Sequence, residues 1–204
     1  MTLDLPGLPD VSRETAERLA LVESLLRKWN PAINLVSRNT LADAWTRHIL
    51  DSAQLFGLSQ PSGHWVDMGS GGGFPGLVIA AIAEGQGADL SVTLIESDQR
   101  KATFLRQAAR EVAPRTRVLT DRIESAPPQN ADTLSARALA DLPALLDFAS
   151  RHLAKDGTAL FPKGANWKQE VEQARKDWHF DLTVHPSTTD PAGAILAVRA
   201  PSHE

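Results

Sequence analysis

Leu19, Val22, Leu26 and Trp29 recur at three- and four-residue steps between Ser12 and Asn30, the spacing that gathers side chains on one face of a helix. Asn30-Pro31 predicts its end, because the residue before a proline is pushed out of helical geometry. Thr40-x-x-Asp43 reads as a capping box for a second helix, whose stripe is Leu41, Ala44, Trp45, His48, Ile49, Ser52 and Leu55. From residue 64 onward the pattern changes to short apolar runs set between helical stretches. Strands are expected at His64–Met68, Leu90–Glu96, Arg117–Thr120, Ala131–Ala136, Thr158–Pro162, Trp178–Val184 and Ala194–Arg199. Helices are expected near Leu77–Glu84, Gln99–Val112, Leu142–Leu153 and Trp167–Lys176.

Strand and helix alternating this regularly predict an α/β fold, a seven-stranded and mostly parallel sheet covered on both faces. The last two strands are separated only by a loop around Pro186–Pro191, too short for a parallel crossover, so they are expected to pair antiparallel at one edge. At 204 residues the chain is read as a single domain, about 1–60 forming an N-terminal helical cap and about 63–200 a Rossmann-like core. The chain has no cysteine, which excludes disulfides, thiolate metal sites and thiol catalysis, and no metal site is expected. With no apolar run long enough to span a bilayer and no signal-like N-terminus, a cytoplasmic protein without membrane attachment is expected.

The chemistry concentrates in Asp67-Met68-Gly69-Ser70-Gly71-Gly72-Gly73-Phe74-Pro75-Gly76, directly after the first predicted core strand. Glycines there let the backbone turn sharply and approach a ligand, and the proline is placed to start a helix. Gly71-x-Gly73-x-x-Gly76 also satisfies the dinucleotide fingerprint, with Glu96 about 20 residues on to grip a ribose. A nicotinamide-dependent oxidoreductase and a non-catalytic cofactor-binding module therefore stay open, although the absence of tyrosine removes any Tyr-x-x-x-Lys pair. Asp67 followed by glycines at 69, 71 and 73 resembles instead the first motif of S-adenosylmethionine-dependent methyltransferases, in which the acid sits near the methionine end of the cofactor. In a doubly wound sheet the ligand lies across the carboxyl ends of the strands, which brings in Glu96 for the ribose and the Asp121–Glu124 loop for the adenine, with Ile123 packing on its face.

Several motifs in order carry a more specific likeness. Asn34-Leu-Val-Ser37, Arg47-His-Ile-Leu-Asp-Ser52, Asp67 to Gly76, Val92-Thr-Leu-Ile-Glu96, Arg122-Ile-Glu124, Ser135-Ala-Arg137-Ala138 and Pro162-Lys-Gly164 resemble the bacterial 16S rRNA N7-guanine methyltransferase family (RsmG, glucose-inhibited division protein B). That resemblance, from about Trp29 to Gly164, implies a class I methyltransferase fold, S-adenosylmethionine as methyl donor, and guanine 527 of 16S rRNA as target. It places cofactor contacts on Gly69, Phe74, Ile123, Glu124 and Arg137, with Glu96 as ribose acceptor; Asp67 and Gly71 join them as cofactor-binding candidates from the first motif. Gly71-Gly72-Gly73 departs from the family in its middle residue.

Guanine N7 is an unprotonated lone pair, so its methylation needs no general base and none is assigned. Arg137, His48 and Lys163 are candidates for positioning, and Phe74 is either a stacking platform for the target base or an anchor for its own loop. Bland readings stand beside these: His48 as a core histidine, Arg137 as a structural partner of Asp141. Asn34, Arg38, Arg47, His48 and Asp51 are expected together near the cap that overhangs the cofactor; with Arg137 and Lys163, the first four are the RNA-binding candidates. The net charge of −4 does not advertise a nucleic-acid partner, so recognition of 16S rRNA would rest on these few cations, or on an assembled small-subunit particle, by a monomeric enzyme. The run Arg100, Lys101, Arg106, Arg110, Arg115, Arg117 and Arg122 reads equally as a solvated face.

Overall fold

The computed structural model describes residues 3–5, 8–59 and 62–203; residues 1, 2, 6, 7, 60, 61 and 204, at the margins of the expected cap and core, lie outside the description. β1 (Leu3–Leu5) and β2 (Leu8–Val11) form a small antiparallel pair that the helical reading of the N-terminus did not anticipate. α1 (Arg13–Ile33) starts at Ser12, whose hydroxyl accepts the Thr15 N–H. It runs one turn past the expected stop. Pro31 removes only its own N–H, and Asn34, in the left-handed region at φ 49°, closes the turn by donating its N–H to the Asn30 carbonyl.

The expected second helix is three pieces. Ser37, not Thr40, caps α2 (Arg38–Ala42) by accepting the Thr40 N–H, and Asp43 then leaves helical geometry. A wider π-helical stretch at Trp45–Leu50 follows and leads into α3 (Asp51–Gly57). Ala44, His48, Ile49, Ser52 and Leu55 of the predicted stripe are buried, so the apolar face is as read while its backbone is not. Such widened turns often serve functional sites.

β3 (Gly63–Met68), β4 (Leu90–Ile95), β5 (Arg117–Leu119), β6 (Ala131–Ala136), β7 (Leu153–Lys163), β8 (Trp178–Pro186) and β9 (Ala194–His203) form one sheet in the order β5-β4-β3-β6-β7-β9-β8. The first five run parallel; β9 lies antiparallel between β7 and β8, so the antiparallel edge pair is present with β8 outermost. β7 begins at Leu153, where helix was expected, because α6 (Leu142–His152) stops one residue earlier and Leu153 pairs with Ala131 ahead of a bulge. Strand alternation divides the core. Trp65 and Leu94 pack beneath α1, α4 (Gly76–Gln86) and α5 (Gln99–Val112), whereas Val66, Met68 and Ile95 face α6 and α7 (Trp167–Ala174). The strand order reverses between β3 and β6, which opens a crevice at the carboxyl ends of the parallel strands. No helix among the described residues is long and apolar enough to cross a membrane.

Candidate active site

At the end of β3 the chain turns through Gly69, whose φ of 65° suits glycine; a Cβ there would also lie 2.6 Å from Leu139 Cδ1. Asp67, expected near the methionine end of the cofactor, lies beneath the loop and outside the lining of the cleft. Pleating sends its side chain to the α4 face, where it is fully buried and Gly76 approaches so closely that a Cβ would stand 2.5 Å from the Asp67 Cβ. The Trp65 indole N–H donates to Ser135 Oγ (2.9 Å), and Ser135 donates in turn to Asp67 Oδ1 (2.7 Å). Burial pushes the Asp67 carboxyl up to about 6, against the pull of the Ser135 hydrogen bond, and its second oxygen has no hydrogen-bond partner. Asp67 therefore ties β3 to β6 under the loop.

Glu96 follows β4 and opens onto the cleft. Its two oxygens accept the N–H groups of Gly71 and Asp98, each at 2.8 Å, which fixes the carboxylate and still leaves lone pairs for further donors. Ile123 and Glu124 lie past β5, Ile123 buried and Glu124 exposed. Their loop is held from below. His152, fully buried at the end of α6, donates from Nε2 to the Ile123 carbonyl (2.9 Å), and desolvation lowers its pKa and keeps the ring neutral. Gly69, Gly71, Glu96, Ile123 and Glu124 border one continuous cleft of about 1070 Å³.

Arg137, just past β6, is the junction between core and cap. Its guanidinium donates to the Arg47 carbonyl (2.9 Å), the Asp51 carboxylate (3.1 Å) and His48 Nδ1 (2.8 Å), and stands 5.3 Å from the centre of the Phe74 ring. The anionic partner is thus Asp51; Asp141 instead caps α6 by accepting the Ala144 N–H. Because Arg137 can only donate, His48 Nδ1 must accept and the ring proton sits on Nε2. Desolvation, then the repulsion of Arg137, lowers the His48 pKa to about 4. Phe74 is 4% exposed, with His48 stacked on it at 4.9 Å between ring centres, and it also borders the cleft.

Lys163 departs from its expected use. Its ammonium donates to the Ala140 carbonyl (2.8 Å) and to Glu170 (2.7 Å), and only 9% of the side chain is exposed, so it pins α7 to the β6–α6 loop instead of reaching outward. Arg47 is exposed at the cleft, whereas Asn34 and Arg38 are exposed outside its lining. Within the basic run only Lys101 and Arg122 border the cleft; Arg115 pairs with Glu84, and Arg106 bonds Thr120. The β8–β9 connection, with Ser187, Thr189 and Asp190 at the cleft, escaped sequence reading. Its polar residues mark a loop but give no sign of where it docks. No group of three or more His, Asp or Glu among the described residues is arranged to hold a metal ion.

Comparison with known proteins adds to this geometry. A family model described as rRNA small subunit methyltransferase G matches residues 15–193. The chain is 56% identical over 190 residues to "Ribosomal RNA small subunit methyltransferase G" of Ruegeria sp. (strain TM1040), covering 93% of each chain. It is 51% identical over 195 residues to the protein so named from Paracoccus denitrificans, covering 95% of this chain and 98% of that one. Among solved structures, a TehB-like SAM-dependent methyltransferase from Corynebacterium glutamicum matches with a TM-score of 0.59 at 16% identity, covering 88% and 98% of the two chains. Geranyl diphosphate methyltransferase in complex with SAM matches with a TM-score of 0.54 at 15% identity, covering 74% and 85%. At such identities these last two speak for the fold alone.

Proposed function

The chain belongs to the rRNA small subunit methyltransferase G family, and on that premise we propose that its cleft transfers a methyl group from S-adenosylmethionine to N7 of guanine 527 in 16S rRNA. The observation that carries the reading is the Glu96 carboxylate, fixed by the Gly71 N–H beside Gly69 in a cleft at the sheet's reversal, the place where a doubly wound fold holds a nucleoside. The residues fit the cofactor. Glu96 keeps acceptor capacity for both ribose hydroxyls, Gly69 and Gly71 offer bare backbone, and Ile123 and Glu124 flank the adenine side. Asp67 acts from below by holding the loop, and Phe74 anchors it.

When bound, S-adenosylmethionine supplies a sulfonium methyl that the N7 lone pair takes in a single displacement, leaving the charge on the purine. The protein's share is alignment and exclusion of water. His48 does not accept a proton in this scheme: Nδ1 is occupied by Arg137, and its pKa near 4 leaves the ring neutral. Arg137 acts through position, fixing the π-helical stretch over the cleft with its charge offset by Asp51. A splayed-out loop nucleotide is the accessible form of guanine, since the deep groove of A-form RNA hides paired bases. Arg47 is the leading RNA contact, with Asn34 and Arg38 on the adjoining surface. So few cations favour a small-subunit particle as substrate over free RNA, acted on by a cytoplasmic monomer without membrane attachment. Radiolabelled transfer to small-subunit RNA followed by nucleoside identification tests the reading. Label in 7-methylguanosine is expected, and label in any other nucleoside would refute it.

A further inference from the structure

The cleft has two halves about the reversal of the sheet. Gly69, Glu96 and Ile123 border one, at the ends of β3, β4 and β5; Arg137, Pro162 and Ile195 border the other, by β6, β7 and β9. The outer wall of the second half is the β8–β9 connection, where Ser187, Thr189 and Asp190 reach the cleft. That wall is held by the N-terminal cap. Gln54 of α3, 4% exposed, accepts through Oε1 both the Thr188 N–H (3.0 Å) and the Thr188 hydroxyl (3.1 Å). Its Nε2 donates to the Asp51 carboxylate and to the Asp51 carbonyl, each at 3.0 Å. Asp51 completes the circuit: one carboxylate oxygen accepts the Thr189 hydroxyl (2.7 Å), the other accepts from Arg137 (3.1 Å).

A buried amide whose nitrogen is satisfied within its own helix by Asp51 and whose oxygen is satisfied by Thr188, 134 positions away, is a costly arrangement for a core to keep, because every lost partner leaves a desolvated polar group. Gln54 applies it to the β8–β9 connection, and Asp51 links that connection to Arg137. The network touches none of Gly69, Glu96 or Ile123. We propose that Gln54 is a positioning residue for the RNA substrate, fixing Thr188, and with it the Ser187–Asp190 wall, so that the second half of the cleft is preformed to admit one splayed-out nucleotide. This inference rests on the reading of the cleft as a methyltransferase site. A wall already in place spares the ordering entropy that the incoming nucleotide would otherwise have to offset, which is felt as substrate affinity.

The test compares Gln54→Ala and Thr188→Val, the second removing one hydroxyl bond at an exposed position. Steady-state transfer to small-subunit RNA gives KM and kcat, and calorimetry with S-adenosylhomocysteine gives cofactor affinity on the same preparations. Gln54→Ala is expected to raise the RNA KM about tenfold and Thr188→Val about threefold, with kcat and cofactor affinity within about twofold of the parent. The double variant should be no worse than Gln54→Ala, since both changes delete the same contact. An unchanged RNA KM in folded Thr188→Val, or a loss of cofactor affinity matching the loss in KM, would overturn the proposal even if Gln54→Ala does not fold. Absence of transfer by the parent protein would overturn the reading of the site itself, which the parent control separates from the other results.

Discussion

Replacing Arg137 by alanine removes four contacts at once: the hydrogen bonds to the Arg47 carbonyl, Asp51 and His48 Nδ1, and the stack on Phe74. The Arg137–Asp51 pair is about four-fifths buried on each side, between the regimes of exposed and fully buried ion pairs, so its loss is set at about 1–2 kcal/mol. His48 Nδ1 is left buried without a donor, which adds about 1–2 kcal/mol. The total of about 3 kcal/mol corresponds, for a chain of this size, to a fall in Tm of about 6–12 °C. A second readout follows from charge. His48 is held at about 4 by desolvation first and by Arg137 second, so the variant should titrate higher than 4 and still below the ordinary 6.5. The folded pKa lies below the unfolded one, so the stability it contributes is present above about pH 6.5 and is lost as pH falls toward 4; in Arg137→Ala that acid loss shrinks. Arg137→Lys should fail to restore the parent, because a point charge cannot satisfy three acceptors set around a planar fork. Calorimetric melts from pH 4 to 8 with NMR titration of His48 decide the matter. A Tm within 2 °C of the parent, or a His48 titration that does not move, would refute the reasoning.

Glu96→Ala should weaken S-adenosylhomocysteine binding by more than tenfold, from about 1.5–3 kcal/mol of hydrogen bonding to a charged acceptor, with a smaller effect on the RNA KM; calorimetry reads it, and a loss below tenfold assigns the ribose elsewhere. Arg47→Ala should weaken RNA binding and reduce the salt slope by about one, whereas Lys163→Met should leave that slope unchanged, since its charge is already spent on Glu170; filter binding across salt concentrations checks both. Asp67, pushed up to about 6 when folded against an ordinary 3.8, contributes stability that is fully present below about pH 4 and lost as pH rises through 6. Asp67→Asn should remove that slope from the pH profile of Tm, and a profile parallel to the parent's would contradict the assignment.

The core was legible because its signals are local. β3 and β4 are short, largely apolar stretches between glycine or polar breaks, and the loop from Asp67 to Gly76 announces a sharp turn without reference to any other residue. The place of Glu96 at the end of β4, bordering the cleft, is legible in the same way, from its distance along the chain. The failures are long-range. Whether Asp67 faces the ligand or the floor depends on which side of β3 is packed by α4, and Gly76 gives no hint of that alone. Lys163 gives no sign of pairing because its partner Glu170 sits on the following helix, and for Arg137 the sequence offers nearby Asp141 as the alternative partner when Asp51, 86 positions away, is the one it meets. The break of the second helix into α2, a π-helical stretch and α3 was hidden by a continuous apolar stripe, which reports the buried face and not the pitch of the backbone.

In the proposed reaction the cleft directs a methyl group to N7 and no side chain removes a proton. Single-turnover transfer to small-subunit RNA carrying 7-deazaguanosine at the target position tests it at one atom, since a C–H replaces the attacked nitrogen while the Watson–Crick edge is unchanged. The substituted RNA is expected to compete with unmodified substrate for binding yet accept no methyl group, and transfer to the unmodified RNA to show no titration attributable to His48 between pH 5 and 8. Methyl transfer to the substituted nucleotide, or a basic limb near pH 6.5 that disappears in His48→Asn, would contradict it.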